Sequence, residues 1–227
     1  MSELSGLPDP LSVTTHFFRP TEGDCEAEIT AEVIRSGRSF TTLTGRLEQR
    51  GKQKIEVMAL LGDLAKQTAT TSTKSAAAQS SLAPPPPELP PPDQCVPRSA
   101  QAQGLTLPLL DRVEVRVDPR YAEPGQSSEA VTEGWIRFRD QTPPTAMALP
   151  FFCDAFPPSV FSLLGMIGWV PTLELTVHTR GRPAPGWLRG RFASEDLQSG
   201  LFVESGQLWD STGALVAQSR QLALLLT

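Results

Sequence analysis

The 227-residue chain lacks most of the marks of the commoner functional classes. It has no run of lysines or arginines and a formal net charge of −5, so it carries no electrostatic footprint for nucleic acid or an anionic membrane surface. Cysteine is scarce: Cys25, Cys95 and Cys153 lie far apart and form no Cys-x-x-Cys pair. A disulfide framework or a zinc site is therefore not expected, and a reducing compartment is. No apolar stretch reaches the roughly 18–20 residues that a bilayer span needs. The longest, 156–170, is broken by Pro157, Pro158 and two glycines. The opening segment Met1 to Pro10 is polar with two prolines and does not read as a signal peptide, and the final Leu-Leu-Thr is not a peroxisomal address. These absences predict a soluble cytoplasmic protein with no nucleic-acid partner and no membrane span.

What the chain does have is proline in one place and β-pattern on either side of it. Residues 66–104 begin rich in Thr, Ser and Ala and continue into Pro84–Pro87 and Pro90–Pro92. Proline has a fixed φ and no N–H, so this stretch predicts an extended linker, disordered in its first half. Before it, 11–18, 25–34, 39–48 and 54–61 alternate or run apolar with β-branched residues, separated by turn residues. After it, the same pattern marks 110–117, 133–138, 173–178, 187–192, 202–209 and 215–225. One stretch between Thr145 and Leu164 reads as helical, with Ala148, Phe152 and Phe156 at i, i+4 spacing. Pro157-Pro158 predicts a break in it.

The two β blocks repeat one another. Leu11-Ser-Val-Thr14-Thr-His16 aligns with Leu173-Glu-Leu-Thr176-Val-His178, placing the chain's two histidines at one repeat position. Downstream, Ser36-Gly37 and Phe40 align with Ser199-Gly200 and Phe202, and Leu47 with Leu208. A four-strand meander used twice is the expected organisation: a partial repeat at 1–65, the linker at 66–104 and a full repeat at 105–227. The second meander is preceded by a strand and a helix, the first by only ten residues.

With this order in place, four segments become informative together: Gly134-Trp-Ile-Arg-Phe-Arg-Asp140, Phe151-Phe-Cys-Asp-Ala-Phe-Pro-Pro158, Pro171-Thr-Leu-Glu-Leu-Thr-Val-His178 and Leu215-Val-Ala-Gln-Ser-Arg-Gln221. They resemble the C-terminal repeat of the type II acyl-CoA thioesterase-like superfamily, and Asp9 to Pro20 resembles the second strand of its N-terminal repeat. The resemblance implies an α+β double hotdog whose first repeat lacks its leading strand and helix. It also implies an acyl-CoA or other acyl thioester as substrate, and a helix Asp, a Thr and a strand Gln that hold the hydrolytic water. Matched motif by motif, these fall on Asp154, Thr172 and Gln221. A carboxylate packed against phenylalanines can act as a base towards water, while a hydroxyl and an amide orient that water, with no cofactor or metal required.

Each of these residues also has a plainer reading. Asp154 on sequence alone is a solvent-facing helix carboxylate, Thr172 a strand opening and Gln221 an outward strand residue. His16 and His178 suit a structural role shared by both repeats, since no Gly-x-Ser-x-Gly elbow exists for either to serve. Arg180 and Arg182, with Arg189 and Arg191, suit either coenzyme A phosphates or a solvated strand edge. Phe152 and Phe156 are candidate acyl contacts, and Cys153 is expected to be a packing residue. If the first meander has no helix of its own, three covers for its inner face remain open: the helix of a second copy or another protein, the linker folded back, or none, in an incomplete product. A non-hydrolytic acyl-thioester-binding or accessory protein is the alternative to an enzyme.

Overall fold

The computed structural model describes residues 2–66, 82–99, 107–165 and 169–226. The first half of the expected linker, 67–81, and its last residues lie outside them. The strands fall within a few residues of where alternation places them. They are β1 (Asp9–Phe17), β2 (Glu28–Ser36), β3 (Thr41–Gln49) and β4 (Lys52–Gly62) before the proline-rich segment, and β5 (Val96–Pro97) within it. β6 (Val113–Val117), β7 (Val131–Phe138), β8 (Thr172–Thr179), β9 (Leu188–Ser194), β10 (Leu201–Trp209) and β11 (Leu215–Leu224) follow. All belong to one 11-stranded sheet in the order β2-β3-β4-β1-β8-β11-β10-β9-β7-β6-β5, and every neighbouring pair is antiparallel.

The order β2-β3-β4-β1 is the mirror of β8-β11-β10-β9, so the duplicated meanders meet at β1 and β8. Thr14 pairs with Thr176 at that seam, and these are the residues the repeat alignment equates. An approximate twofold axis therefore passes between them. Their Oγ1 atoms lie 2.9 Å apart, and since Thr176 donates to Glu174 Oε1 at 2.5 Å, Thr14 is the donor. Both repeats carry the same bulge: one extra residue, Leu11 in β1 and Leu173 in β8, interrupts the pairing with β4 and β11. The registers place Leu47 at the position of Leu208, as aligned, and correct the alignment by one place at the start of that strand. Thr41, not Phe40, occupies the position of Phe202, so Phe202 is buried while Phe40 is 47% exposed.

The helical stretch is broken as its prolines require. A 3-10 turn at Ala146–Ala148 leads into α3 (Leu149–Cys153), and α4 (Val160–Leu164) starts after Pro157-Pro158. Two further short helices are α1 (Ser2–Ser5) and α2 (Pro119–Ala122). α3 lies across the inner face of the second repeat. Leu149, Phe152 and Phe156 pack there against Ile136, Leu188 and Phe192. Two glycines admit the rings: a Cβ on Gly190 would sit 2.6 Å from Phe156 Cζ, and one on Gly206 2.5 Å from Phe192 Cε1.

The first repeat is thinner. Its core is Leu43, Ala59 and Leu61, with Leu7, Val13 and Val57 against them. Leu7, just past α1, thus gives this face a small cover from the chain's own start. Among the described residues no helix occupies the place over β1–β4 that α3 holds in the second repeat. β2 is the outer edge of the sheet and Ile29 stays 72% exposed.

The second part of the proline-rich segment is docked. Trp209 Nε1 donates to the Pro84 carbonyl at 2.9 Å, and Trp135 Nε1 donates to the Pro90 carbonyl at 2.8 Å. A run of prolines has no N–H groups with which to build a ladder, and two of its free carbonyls are taken up by the indoles. The segment then adds β5 to the edge of β6, and Arg98 N continues the pairing by donating to the Val115 carbonyl at 2.9 Å.

Candidate active site

Asp154, Thr172 and Gln221, separate in sequence, converge. Asp154 caps the C-terminal end of α3, stepping out of the helix instead of lying within it. Thr172 opens β8 immediately before the bulge at Leu173, and a bulge re-aims the side chain beside it. Gln221 lies on the inner face of β11. Gln221 Nε2 donates to Thr172 Oγ1 at 2.8 Å, and Thr172 Oγ1 donates to Asp154 Oδ1 at 3.3 Å. A hydroxyl has one proton to give, so the Gln221 donation directs it to the carboxylate.

These groups line a cavity of about 560 Å³ at the seam. Phe17 and Ile55 of the first repeat form part of its wall, and Phe156, Phe161, Trp169 and Leu173 part of the wall from the second. Asp154 is an exposed residue on the cavity side, with the surrounding protein packed closely about its carboxyl. Burial pushes its carboxyl up to about 6, while the Thr172 hydroxyl and the Arg98 guanidinium pull it partly back. Burial pushes the adjoining Cys153 thiol up to about 12, as suits a packing residue rather than a nucleophile.

Two more charged groups stand in the cavity that sequence reasoning did not assign. Glu204 of β10 is 5% exposed and lies directly opposite Gln221 in the strand register. The Ser159 backbone N–H donates to its Oε2 at 2.7 Å. Burial first, and the charge of Asp154 further, hold its carboxyl above the usual range, against the Ser159 bonds and Arg98. Arg98, from the proline-rich segment, donates through Nη1 to the Ala155 carbonyl, one residue from Asp154. Burial pulls its guanidinium down to about 10, with Asp154 and Glu204 acting in the opposite sense. A sequence signal for Glu204 existed: it shares strand parity with Phe202, Gly206 and Leu208, all inward-facing.

The other candidates lie elsewhere. Phe156 lines the cavity, whereas Phe152 is fully buried in the core, 4.8 Å between ring centroids from Phe138. Arg180 is exposed and away from the cavity. Arg182 reaches the first repeat instead, with Nε 3.0 Å from Asp9 Oδ1 and Nη2 2.8 Å from Asp9 Oδ2. Arg191 bonds Glu133, and Arg189 stacks 5.1 Å over Trp135. His16 and His178 are exposed, across the seam strands from Glu174 and Ser12. Applying the twofold relation to the site places Pro10, Leu43 and Ala59 at the positions of Thr172, Glu204 and Gln221. The first repeat keeps the frame of the site without its polar groups. Among the described residues no cluster of His, Cys, Asp and Glu is arranged to hold a metal, and no helix is long and apolar enough to cross a membrane.

Two antiparallel meanders fused edge to edge, the second wrapped about a helix, with a polar site at their seam, belong to the double-hotdog class. The chain belongs to the acyl-CoA thioesterase family within it: the model of the family's C-terminal domain matches residues 92–225, and that of its N-terminal domain residues 2–63. A crystal structure described as a candidate thioesterase II from Thermobifida fusca YX is similar over 100% of this chain and 82% of that one, with a TM-score of 0.81 and 29% identity. A hot dog fold protein of unknown function from Alicyclobacillus acidocaldarius has the same fold over 97% of this chain and 80% of its own, with a TM-score of 0.79 and 24% identity. An uncharacterized protein of Mycobacterium tuberculosis is 34% identical over 95 residues, 42% of this chain. That alignment spans about a third, 32%, of the curated relative's length.

Proposed function

We propose that the protein hydrolyses an acyl-CoA, or another acyl thioester, to the free acid and the thiol, with Asp154 as general base. The hydrogen-bonded chain Gln221–Thr172–Asp154 at the cavity wall carries this reading. It fixes one oxygen of the carboxylate and leaves the other for a water beside the Gln221 amide. Asp154 takes a proton from that water as its oxygen bonds to the thioester carbonyl carbon. The adduct collapses with cleavage of the C–S bond, and the departing sulfur takes up the proton held by Asp154. A carboxyl raised to about 6 suits the task, being ionised at neutral pH yet more basic than an ordinary aspartate. The apolar wall from both repeats accommodates the acyl chain.

On this reading the chemistry belongs to the second repeat. The first repeat contributes wall residues and the seam. Free-thiol release from a panel of acyl-CoAs, comparing native protein with Asp154→Asn, tests it. A loss of about 10²–10⁴-fold in kcat is expected. Native protein no faster than the variant would remove the hydrolase reading, and acyl-CoA binding without turnover would favour a binding or accessory protein instead.

A further inference from the structure

We propose that Arg98 is a positioning residue of this site, carried in by the docked proline-rich segment to keep Asp154 ionised beside a second carboxylate, Glu204. The inference rests on Asp154 being the base. Three observations support it. First, Arg98 is anchored well before its side chain enters the cavity. Trp209 holds Pro84, Trp135 holds Pro90, Val96 pairs with Val117, and Arg98 N donates to the Val115 carbonyl. Second, its guanidinium bonds the Ala155 carbonyl, next to Asp154, in a cavity that also holds Glu204. Third, the first repeat has Leu43 where the second has Glu204, so this buried carboxylate is not a requirement of the strand.

Two carboxylates lining one cavity disfavour one another's ionisation, and a cation in the same cavity relieves it. The other charged or titratable groups lining the cavity are Arg19, exposed beyond the end of β1, and Cys153, whose thiol is neutral. From β8 and β11 the groups facing Asp154 are Thr172 and Gln221, which carry no charge. Arg98 is thus the one enclosed cation among the described cavity residues, and the inter-repeat segment is part of the site, not a spacer beside it.

The test follows the Asp154 carboxyl directly, by ¹³C NMR titration of aspartate-labelled full-length protein. Its signal is assigned by disappearance in Asp154→Asn. The native midpoint is expected near 6, and Arg98→Gln should raise it by about 1 pH unit or more. Arg98→Lys keeps the charge and should recover most of the shift. Adding Glu204→Gln to Arg98→Gln should bring the midpoint down again. The acid limb of the kcat/KM profile should move with the midpoint, whereas a merely structural role would scale the profile without displacing it. An unchanged midpoint in Arg98→Gln overturns the proposal. If that variant does not fold, the double variant Arg98→Gln with Glu204→Gln is compared with Glu204→Gln alone: a higher midpoint in the double variant supports the proposal and an equal one overturns it. Native protein that titrates as stated yet releases no thiol would leave Arg98 in this role and remove the hydrolase reading.

Discussion

Asp154 combines two opposed demands. Its carboxyl is raised from an ordinary 3.8 to about 6, chiefly by burial. The folded protein therefore binds a proton there between about pH 4 and 6 that the unfolded chain does not hold. The cost of ionising the group is fully present above pH 6 and disappears as pH falls below 4. Asp154→Asn should accordingly raise the melting temperature at pH 7.5, and thermal scans should show this advantage shrinking between pH 6 and 4. The proposed activity runs the other way, with kcat/KM climbing to a plateau above about pH 6. Thr172→Val removes the hydroxyl that lowers the Asp154 carboxyl and satisfies Gln221. Its steady-state rate should fall about 10- to 100-fold, with the larger loss at the acid end. Asp154, Thr172 and Gln221 were singled out through the family resemblance of three short motifs, and the fold brings the three together. Glu204 and Arg98 were not singled out: the first needs the facing of β10 to be known, and the second sits in a sequence whose prolines announce only an extended chain.

Elements explain why the cavity has its shape. Strand spans follow from alternation, and the break after Asp154 follows from Pro157-Pro158. The docking of 84–98 does not follow from its own composition, because its partners are two indoles far along the chain, Trp135 and Trp209. Within β9, Gly190 sets the depth at which the Phe156 ring rests against the sheet and so one wall of the cavity. Gly190→Ala places a methyl 2.6 Å from that ring. The expected cost is about 1–3 kcal/mol, read as a lower denaturant midpoint at constant m-value. Phe156 must shift, so acyl-CoA chain-length preference should change as well.

At the scale of the molecule, one sheet spans both repeats, so neither has a closed edge at the seam. Arg182 of the second repeat ties down Asp9 of the first, whose side chain is 5% exposed and whose Oδ2 also accepts from Leu64 N. Arg182→Gln should lower the melting temperature in a single cooperative transition and leave KM for acyl-CoA unchanged, because the guanidinium lies outside the cavity. A raised KM with unaltered stability would return Arg182 to phosphate binding. The duplication itself was visible in the matched segments around His16 and His178. Its axis was not, because only the pairing of Thr14 with Thr176 reveals that the copies join through these strands. Pro10, Leu43 and Ala59 stand where Thr172, Glu204 and Gln221 stand in the second copy. Two frames thus share one set of polar groups, and stoichiometry follows from sequence rather than symmetry. Under the proposed function each chain would offer a single equivalent of catalyst, and among the described residues saturation would have no second centre with which to cooperate.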